Sequence, residues 1–166
     1  IISIQQEIPM ELAAYSSGSH DLTFNNGSIL HFSYLEKDED ARGHDSAEYD
    51  AIGFDELTSF SQFIYTYLIS RCRSTKPWWP GRRIRSACTP GDTGHEWVKL
   101  RWIGSEEHKI PAMEIWKAPA SEGGLTRQFI PARLTDNPTL MKANPDYVNQ
   151  LRSMSDEEYR AKALGD

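Results

Sequence analysis

Two adjacent carboxylates, Asp55 and Glu56, follow a short apolar run at residues 51–54. A run of that length is too short for a helix and predicts a buried β-strand. Burying such a strand is costly unless its acids lie at the strand end, in water or beside a cation. In nucleotide hydrolases the first acid of such a pair holds Mg²⁺ through the ion's water shell, and the second orients or deprotonates the attacking water. The same pattern is also typical of a strand followed by an acidic turn.

The elements after this pair predict a βαβ unit. Apolar residues recur at spacings of three and four over residues 60–73, which indicates one face of a helix, with Ser59 or Thr58 as its cap. Residues 84–88 then predict a second strand, which ends at Thr89. Parallel strands place their carboxyl ends at one sheet edge, so both polar strand ends are expected to form an active-site rim there.

The remaining elements are predicted from turn residues, capping residues and periodicity. In chain order we predict a weak helix and then a loop at residues 1–20, a hairpin at 22–32 turning at Asn26 and Gly27, a charged loop at 36–50, a turn at 78–81, a short helix at 94–102, an irregular exposed insertion at 104–126 with one strand near 113–116, a strand at 127–134, a turn at 136–138, and two helices at 145–154 and 155–164, the last with a Ser155–Glu158 capping box.

Composition indicates one folded domain. The chain has 166 residues, of which 39% are hydrophobic, and its 5 Trp, 7 Tyr and 6 Phe argue against disorder. A net charge of −6 does not suggest a protein that coats nucleic acid over its whole surface. A local basic segment could still bind nucleic acid. The chain has such a segment, with no acidic residue among its basic ones: Arg71, Arg73, Lys76, Arg82, Arg83 and Arg85. Such a segment is typical either of a solvated basic face or of sequence-independent contact with DNA phosphates.

Cysteine content and hydropathy narrow the cellular context. Cys72 and Cys88 are too few for a disulfide scaffold and lack metal-site spacing, so we expect core thiols in a reducing compartment. No segment has the apolar length to cross a membrane and no signal peptide opens the chain, so we expect no membrane association. The chain begins with Ile1 rather than Met, which suggests a piece of a longer protein.

An ordered set of short motifs carries a family resemblance. The motifs are Asn-Gly-Ser at 26–28 with the strand at 29–32, Arg-Gly at 42–43, Ile-Gly-Phe-Asp-Glu-Leu at 52–57, the helix end at 68–75, Thr-Pro-Gly at 89–91, Gly-His-Glu-Trp-Val-Lys at 94–99, Phe-Ile-Pro-Ala at 129–132, Asp-Asn-Pro at 136–138 and the segment at 146–151. Together they resemble the ATPase part of the large terminase subunit of tailed bacteriophages, the motor that packages DNA into proheads. The resemblance extends from about residue 22 to the end of the chain.

The resemblance implies roles for four residues. Asp55 would be the Walker B carboxylate associated with Mg²⁺, and Glu56 the carboxylate that activates water for attack on the γ-phosphate of ATP. Thr89 would sense the γ-phosphate and couple its state to the rest of the motor, although it also fits a hydroxyl that caps a turn. Arg42 is a candidate arginine finger, and the alternative is a surface arginine in an acidic loop.

The resemblance also implies a fold and partners. The expected fold is α/β, a partial P-loop NTPase (ASCE-type) parallel sheet with flanking helices, a β-hairpin near the N-terminus and a helical C-terminal linker. Residues 1–134 would belong to the ATPase domain, and residues 135–166 would form the linker. The implied partners are double-stranded DNA, the portal protein, the small terminase subunit and further copies in a ring. The implied location is the cytoplasm of the infected bacterial host, and transiently the prohead portal.

The chain departs from the family in two respects. It contains no GxxxxGK[ST] phosphate loop, which is expected upstream of residue 1, and no cluster of nuclease acids, which is expected downstream of residue 166. We therefore expect an internal fragment that is inactive alone. Three alternatives stay open: another P-loop motor such as a helicase, a metal-dependent nuclease using Asp55, Glu56 and a further acid, and a non-enzymatic module such as a degenerate prophage remnant.

Overall fold

The protein is described here by a computed structural model that covers residues 8–9, 11–76 and 83–165. The chain divides into two compact units, Ile1–Glu36 and Lys37–Asp166. The turn predicted at residues 78–81 lies outside the described residues. Within the part of the chain that the structure describes, no helix is long and apolar enough to span a membrane.

The first unit is a three-stranded antiparallel sheet in the order β1-β2-β3. Its strands are β1 (Ala13–Ser16), β2 (Asp21–Phe24) and β3 (Ile29–His31). The predicted hairpin is confirmed, because the Phe24 amide donates to the Ser28 carbonyl at 2.8 Å and Gly27 takes a φ of +82° in the turn. The weak helix predicted in this region is wrong at β1, because antiparallel pairing with β2 overrides a weak local helix preference.

The second unit mixes helices with two small sheets. Its strands and helices are α1 (Asp38–Ala41), β4 (Ala51–Phe54), α2 (Gln62–Ile69), β5 (Arg83–Ser86), α3 (His95–Trp102), β6 (Ile115–Lys117), β7 (Thr126–Gln128), α4 (Pro138–Ala143), α5 (Tyr147–Arg152), α6 (Asp156–Tyr159) and a π-helical segment (Arg160–Leu164). Single 3₁₀ turns lie at Arg42–His44, Leu57–Ser59, Ala120–Glu122 and Leu134–Asp136.

The predicted βαβ unit is confirmed. Strands β4 and β5 pair in parallel, with Phe54 opposite Ser86, and α2 connects them. The core lies between this sheet and α2, where Phe54, Ile64 and Leu68 are buried and the Phe54 and Tyr65 rings lie 5.2 Å apart. The mixed α/β class with a parallel strand pair is therefore as expected.

Some details of this unit differ from expectation. Phe54 is the one buried residue of β4, and among the described strands β4 pairs with β5 alone. Ser61 caps α2, accepting from the Ile64 amide at 3.1 Å, so neither Ser59 nor Thr58 is the cap. Cys72 is buried as predicted, but Cys88 is exposed and is not a core thiol.

Two short helices occupy segments that were predicted to be irregular. Helix α1 lies in the charged loop, where three acids in its first turn complement the helix dipole. Helix α4 begins where a turn was predicted, because Asn137 accepts from the Leu140 amide and Pro138 occupies the first helical position. The predicted C-terminal helices are confirmed, including the Ser155–Glu158 capping box.

The region predicted as an irregular insertion contains a hairpin of β6 and β7 that is held to α3 by a buried arginine. The Arg127 side chain is 4% exposed. It donates to the Arg101 carbonyl and to Glu122 Oε2, each at 2.6 Å, and its guanidinium lies 4.9 Å from the centre of the Trp116 ring. The strand predicted at residues 127–134 is confined to Thr126–Gln128.

Arg127→Met is expected to lower the free energy of unfolding by about 2 kcal/mol, because it removes two charge-assisted hydrogen bonds from a buried site. The loss is moderated because Glu122 is half exposed and regains water, and because the Arg127 Nε has no hydrogen-bond partner among the described residues. Urea unfolding of the chain measures this change. Arg152→Met, at an exposed position of α5, is the matched control and should change stability little; equal losses in both variants would contradict a specific role for Arg127.

Candidate functional site

A pocket of about 490 Å³ lies where β4 and β5 end. Its walls come from the loop after each strand and from two C-terminal elements, α5 and the π-helical segment. The lining residues are Glu56, Thr58, Ser59, Thr89, Pro90, Gly91, Asp92, Tyr147 and Lys162. The pocket therefore collects carboxylates, hydroxyl groups and one lysine from three regions that are distant in sequence.

Glu56 is held in an unusual backbone conformation at the end of β4. Its φ of +51° and ψ of +62° are left-handed, which is uncommon for a residue with a Cβ. The strand ladder continues past it, because the Leu57 amide donates to the Ala87 carbonyl at 2.9 Å. The Thr89 amide donates to Glu56 Oε2 at 3.0 Å and thereby fixes the carboxylate against the end of β5. Strained residues of this kind are concentrated at functional sites, which favours a functional reading of Glu56.

Thr58 joins the loops after the two strands. Its buried side chain donates from Oγ1 to the Thr89 carbonyl at 3.0 Å, and its own carbonyl accepts from the Gly94 amide at 2.7 Å. A further bond runs from Trp97 Nε1 to the Phe60 carbonyl at 2.9 Å. The turn after β4 and the start of α3 are therefore joined by one main-chain hydrogen bond and by one from the Trp97 side chain.

Asp92 is a second carboxylate on the pocket wall. The Thr93 amide donates to Oδ1 at 2.7 Å and the Ser59 hydroxyl donates to Oδ2 at 2.9 Å. These hydrogen bonds, the Thr93 amide first, hold the pKa of Asp92 below its usual value, so the group stays ionised at neutral pH. The pocket thus carries negative charge from Asp92 as well as from Glu56.

The pocket offers oxygen donors to a metal ion. Carboxylate and hydroxyl oxygens are the ligands that Mg²⁺ prefers, and the wall supplies both kinds. Asp55, the predicted Mg²⁺ carboxylate, is exposed next to Glu56 and is not among the lining residues. Among the described residues, no group of three or more His, Cys, Asp or Glu side chains is arranged to hold a metal ion.

Arg42, the candidate arginine finger, does not line the pocket. It begins the 3₁₀ turn after α1, and its guanidinium lies 5.8 Å from the centre of the Phe63 ring on α2. The residue is exposed. In this chain it contacts the outer side of the helix rather than the residues around Glu56.

The residues of the predicted basic segment differ in their contacts and in their exposure. Lys76 forms an ion pair with Asp50 at 2.5 Å. Arg83 and Arg85 are exposed on one face of β5, because alternate residues of a strand share a face. Arg73 is exposed after α2, and Arg82 lies outside the described residues.

Seven of the nine lining residues were not identified as site residues from the sequence, and three of these seven carry ionisable side chains. Asp92 follows the Thr-Pro-Gly motif, whereas Tyr147 and Lys162 lie in the C-terminal helices. The Asp92–Thr93 pair carries a local signal, since Asp commonly bonds its own backbone in a turn. Only tertiary packing brings Tyr147 and Lys162 to the pocket, so no local signal could have found them.

Comparison with known proteins identifies the family. A search of curated proteins found no match, and a search of solved structures found none either. A family model described as "Terminase large subunit, T4likevirus-type, N-terminal" matches residues 1–165. Because the match covers nearly the whole chain, the protein belongs to the T4likevirus-type terminase large subunit family, whose general role is packaging phage DNA.

Proposed function

We propose that the pocket is part of the ATP-hydrolysing centre of a terminase large subunit, in a partial P-loop NTPase sheet. The observation that carries the proposal is Glu56, left-handed at the end of a parallel strand and fixed by the Thr89 amide of the neighbouring strand. Ligands of α/β proteins bind at this carboxyl edge of the sheet, which supports placing the nucleotide there. Family membership supports the same activity class.

Glu56 is the general base of the proposed reaction. With Oε2 accepting from the Thr89 amide, Oε1 is the oxygen available to take a proton from the attacking water. Positioning and charge stabilisation supply most of the rate in phosphoryl transfer, so a carboxylate held in one orientation suits the task. Thr89 contributes through its backbone, and any shift at the end of β5 therefore moves the base.

Mg²⁺ is the proposed cofactor. Asp55 would hold the ion through its water shell, as one or two carboxylates commonly do for Mg²⁺. When bound, the ion neutralises negative charge on the phosphates. This matters in a pocket that already carries two carboxylates.

The proposed motor acts on double-stranded DNA. Exposed Arg83 and Arg85 are the best placed of the predicted DNA-contacting residues, because they share one open face of β5. Phosphate contacts of that kind bind without regard to sequence and weaken with salt, as a translocating motor requires. The proposed protein partners are the portal protein, the small terminase subunit and further copies of the large subunit in a ring. Arg42 is the candidate arginine finger within that ring. We also propose a nuclease activity for the complete subunit and the host cytoplasm as its location.

The 166-residue chain is proposed to be inactive alone. It contains no GxxxxGK[ST] sequence, so it lacks the loop whose amides cradle the phosphates of ATP. Glu56 then has no bound substrate to act on. The activity therefore requires the complete large subunit.

Phosphate release by the complete large subunit tests the proposal. We expect MgATP hydrolysis that DNA stimulates and that EDTA abolishes, whereas the 166-residue chain should give no release above the blank. Hydrolysis that survives EDTA would contradict the role of Mg²⁺. Cleavage of plasmid DNA by this chain with Mg²⁺ and no ATP would instead favour the metal-dependent nuclease.

A further inference from the structure

The C-terminal segment supplies a cation to a pocket that is otherwise acidic. Glu56 and Asp92 line the pocket, and Lys162 is the only cationic side chain among its described lining residues. Lys162 belongs to the π-helical segment that continues α6. The nucleotide site and the end of the chain therefore share one surface within the second unit.

Among the described residues, the contacts of the Lys162 ammonium are weak. Lys162 Nζ donates to Met154 Sδ at 3.7 Å, and a thioether is a weak acceptor. Glu158 lies one helical turn away, and the hydrogen bonds from the Ser155 hydroxyl and amide to its Oε2, with a smaller contribution from the charge of Lys162, lower its pKa. Among the described residues no ion pair within 4.0 Å includes Lys162. The charge is consequently available to an anion in the pocket.

Packing fixes the segment that carries Lys162. The next residue, Ala163, is buried, and Leu151 of α5 is also buried within the helical region. Gly165 closes the segment with a φ of +71°, and a Cβ at that position would lie 2.9 Å from the Ala132 carbonyl oxygen. Because the backbone packs this closely against Ala132, the segment that carries Lys162 is fixed in place.

Charge complementarity then identifies what the lysine binds. The terminal phosphate of a nucleotide is anionic, and Glu56 with Asp92 would repel it. We propose that Lys162 binds the terminal phosphate of ATP, and the inorganic phosphate formed from it, across the pocket from Glu56. This rests on the proposed function. It makes the C-terminal helical segment a phosphate-binding wall of the hydrolysis site in the same chain.

Steady-state kinetics of the complete large subunit test this assignment. For Lys162→Met we expect the inhibition constant of inorganic phosphate and the KM for MgATP each to rise about tenfold, the scale of one charged hydrogen bond. Lys162→Arg keeps the charge and should restore most of the binding. Lys142→Met, at an exposed site in the last turn of α4 outside the pocket, should behave as wild type.

The outcomes separate this inference from the function on which it rests. If wild type hydrolyses ATP and Glu56→Gln does not, yet phosphate inhibits Lys162→Met as strongly as wild type, Lys162 is not the phosphate ligand and the proposed function stands. If wild type shows no hydrolysis, both fail. A fall in kcat with unchanged phosphate inhibition, or a lowered urea midpoint for Lys162→Met, would indicate a structural role and overturn the assignment.

Discussion

Glu56→Gln is expected to reduce ATP turnover by the complete terminase large subunit about a thousandfold while leaving nucleotide affinity near that of wild type. Glutamine has the same size and can still accept the Thr89 amide hydrogen bond, so the loop geometry is preserved. What is lost is the carboxylate that we propose takes a proton from water. Single-turnover phosphate release measures the chemical step, and equilibrium binding of MgATP measures the affinity.

Glu96→Gln is the matched control, because Glu96 is exposed in the first turn of α3 and does not line the pocket. It should retain full activity. Turnover by Glu56→Gln within tenfold of wild type would show that another group is the base. Asp92 would then be the next residue to replace, since it is the other carboxylate on the wall.

Gly94→Ala is expected to lower the free energy of unfolding by about 3 kcal/mol, at the upper end for overpacking. A Cβ at Gly94 would lie 2.5 Å from the Phe60 carbonyl oxygen, 2.7 Å from the Thr58 carbonyl oxygen and 2.7 Å from Trp97 Nε1. Two of these atoms belong to the main chain, so relief requires parting the loops after β4 and β5. Because those loops carry Glu56, catalysis should fall with stability.

Gly43→Ala provides the control for this substitution. No atom lies within 4 Å of a Cβ built at Gly43, and its φ is not in the left-handed region, so the same added methyl should be neutral or slightly stabilising. Urea unfolding of the wild type and both variants makes the comparison. If Gly94→Ala unfolded at the same urea concentration as Gly43→Ala, the loops would be far more adaptable than their hydrogen bonds indicate.

Locally encoded elements could be predicted from the sequence. The turn after β2 depends on Gly27, which takes a positive φ, and on Asn26, whose Oδ1 accepts from the Ser28 amide. The last capping box depends on Ser155 and Glu158. The βαβ unit follows from an apolar run, a helical period and a second run. In each case the determining residues lie within a few positions of the structure that they specify.

The errors arose where distant contacts or ambiguous residues decide the structure. Strand β1 exists because it pairs with β2, and nothing within the segment itself required that pairing. Asn137 and Pro138 suit a helix start as well as a turn, and the structure forms the helix. For the candidate site, the sequence indicated Glu56 and Thr89, but Lys162 reaches the pocket only through folding of the C-terminal helices.

The left-handed backbone at Glu56 lowers stability at a position where the proposed activity requires a carboxylate. An L-residue with a Cβ costs about 1 kcal/mol in this conformation, whereas glycine adopts it freely. Selection for a more stable protein therefore favours glycine or asparagine at position 56. Under the proposed mechanism, selection for a working motor permits only the carboxylate. On that proposal, Glu56 serves function against the preference of the fold, whereas glycine at position 94 serves packing.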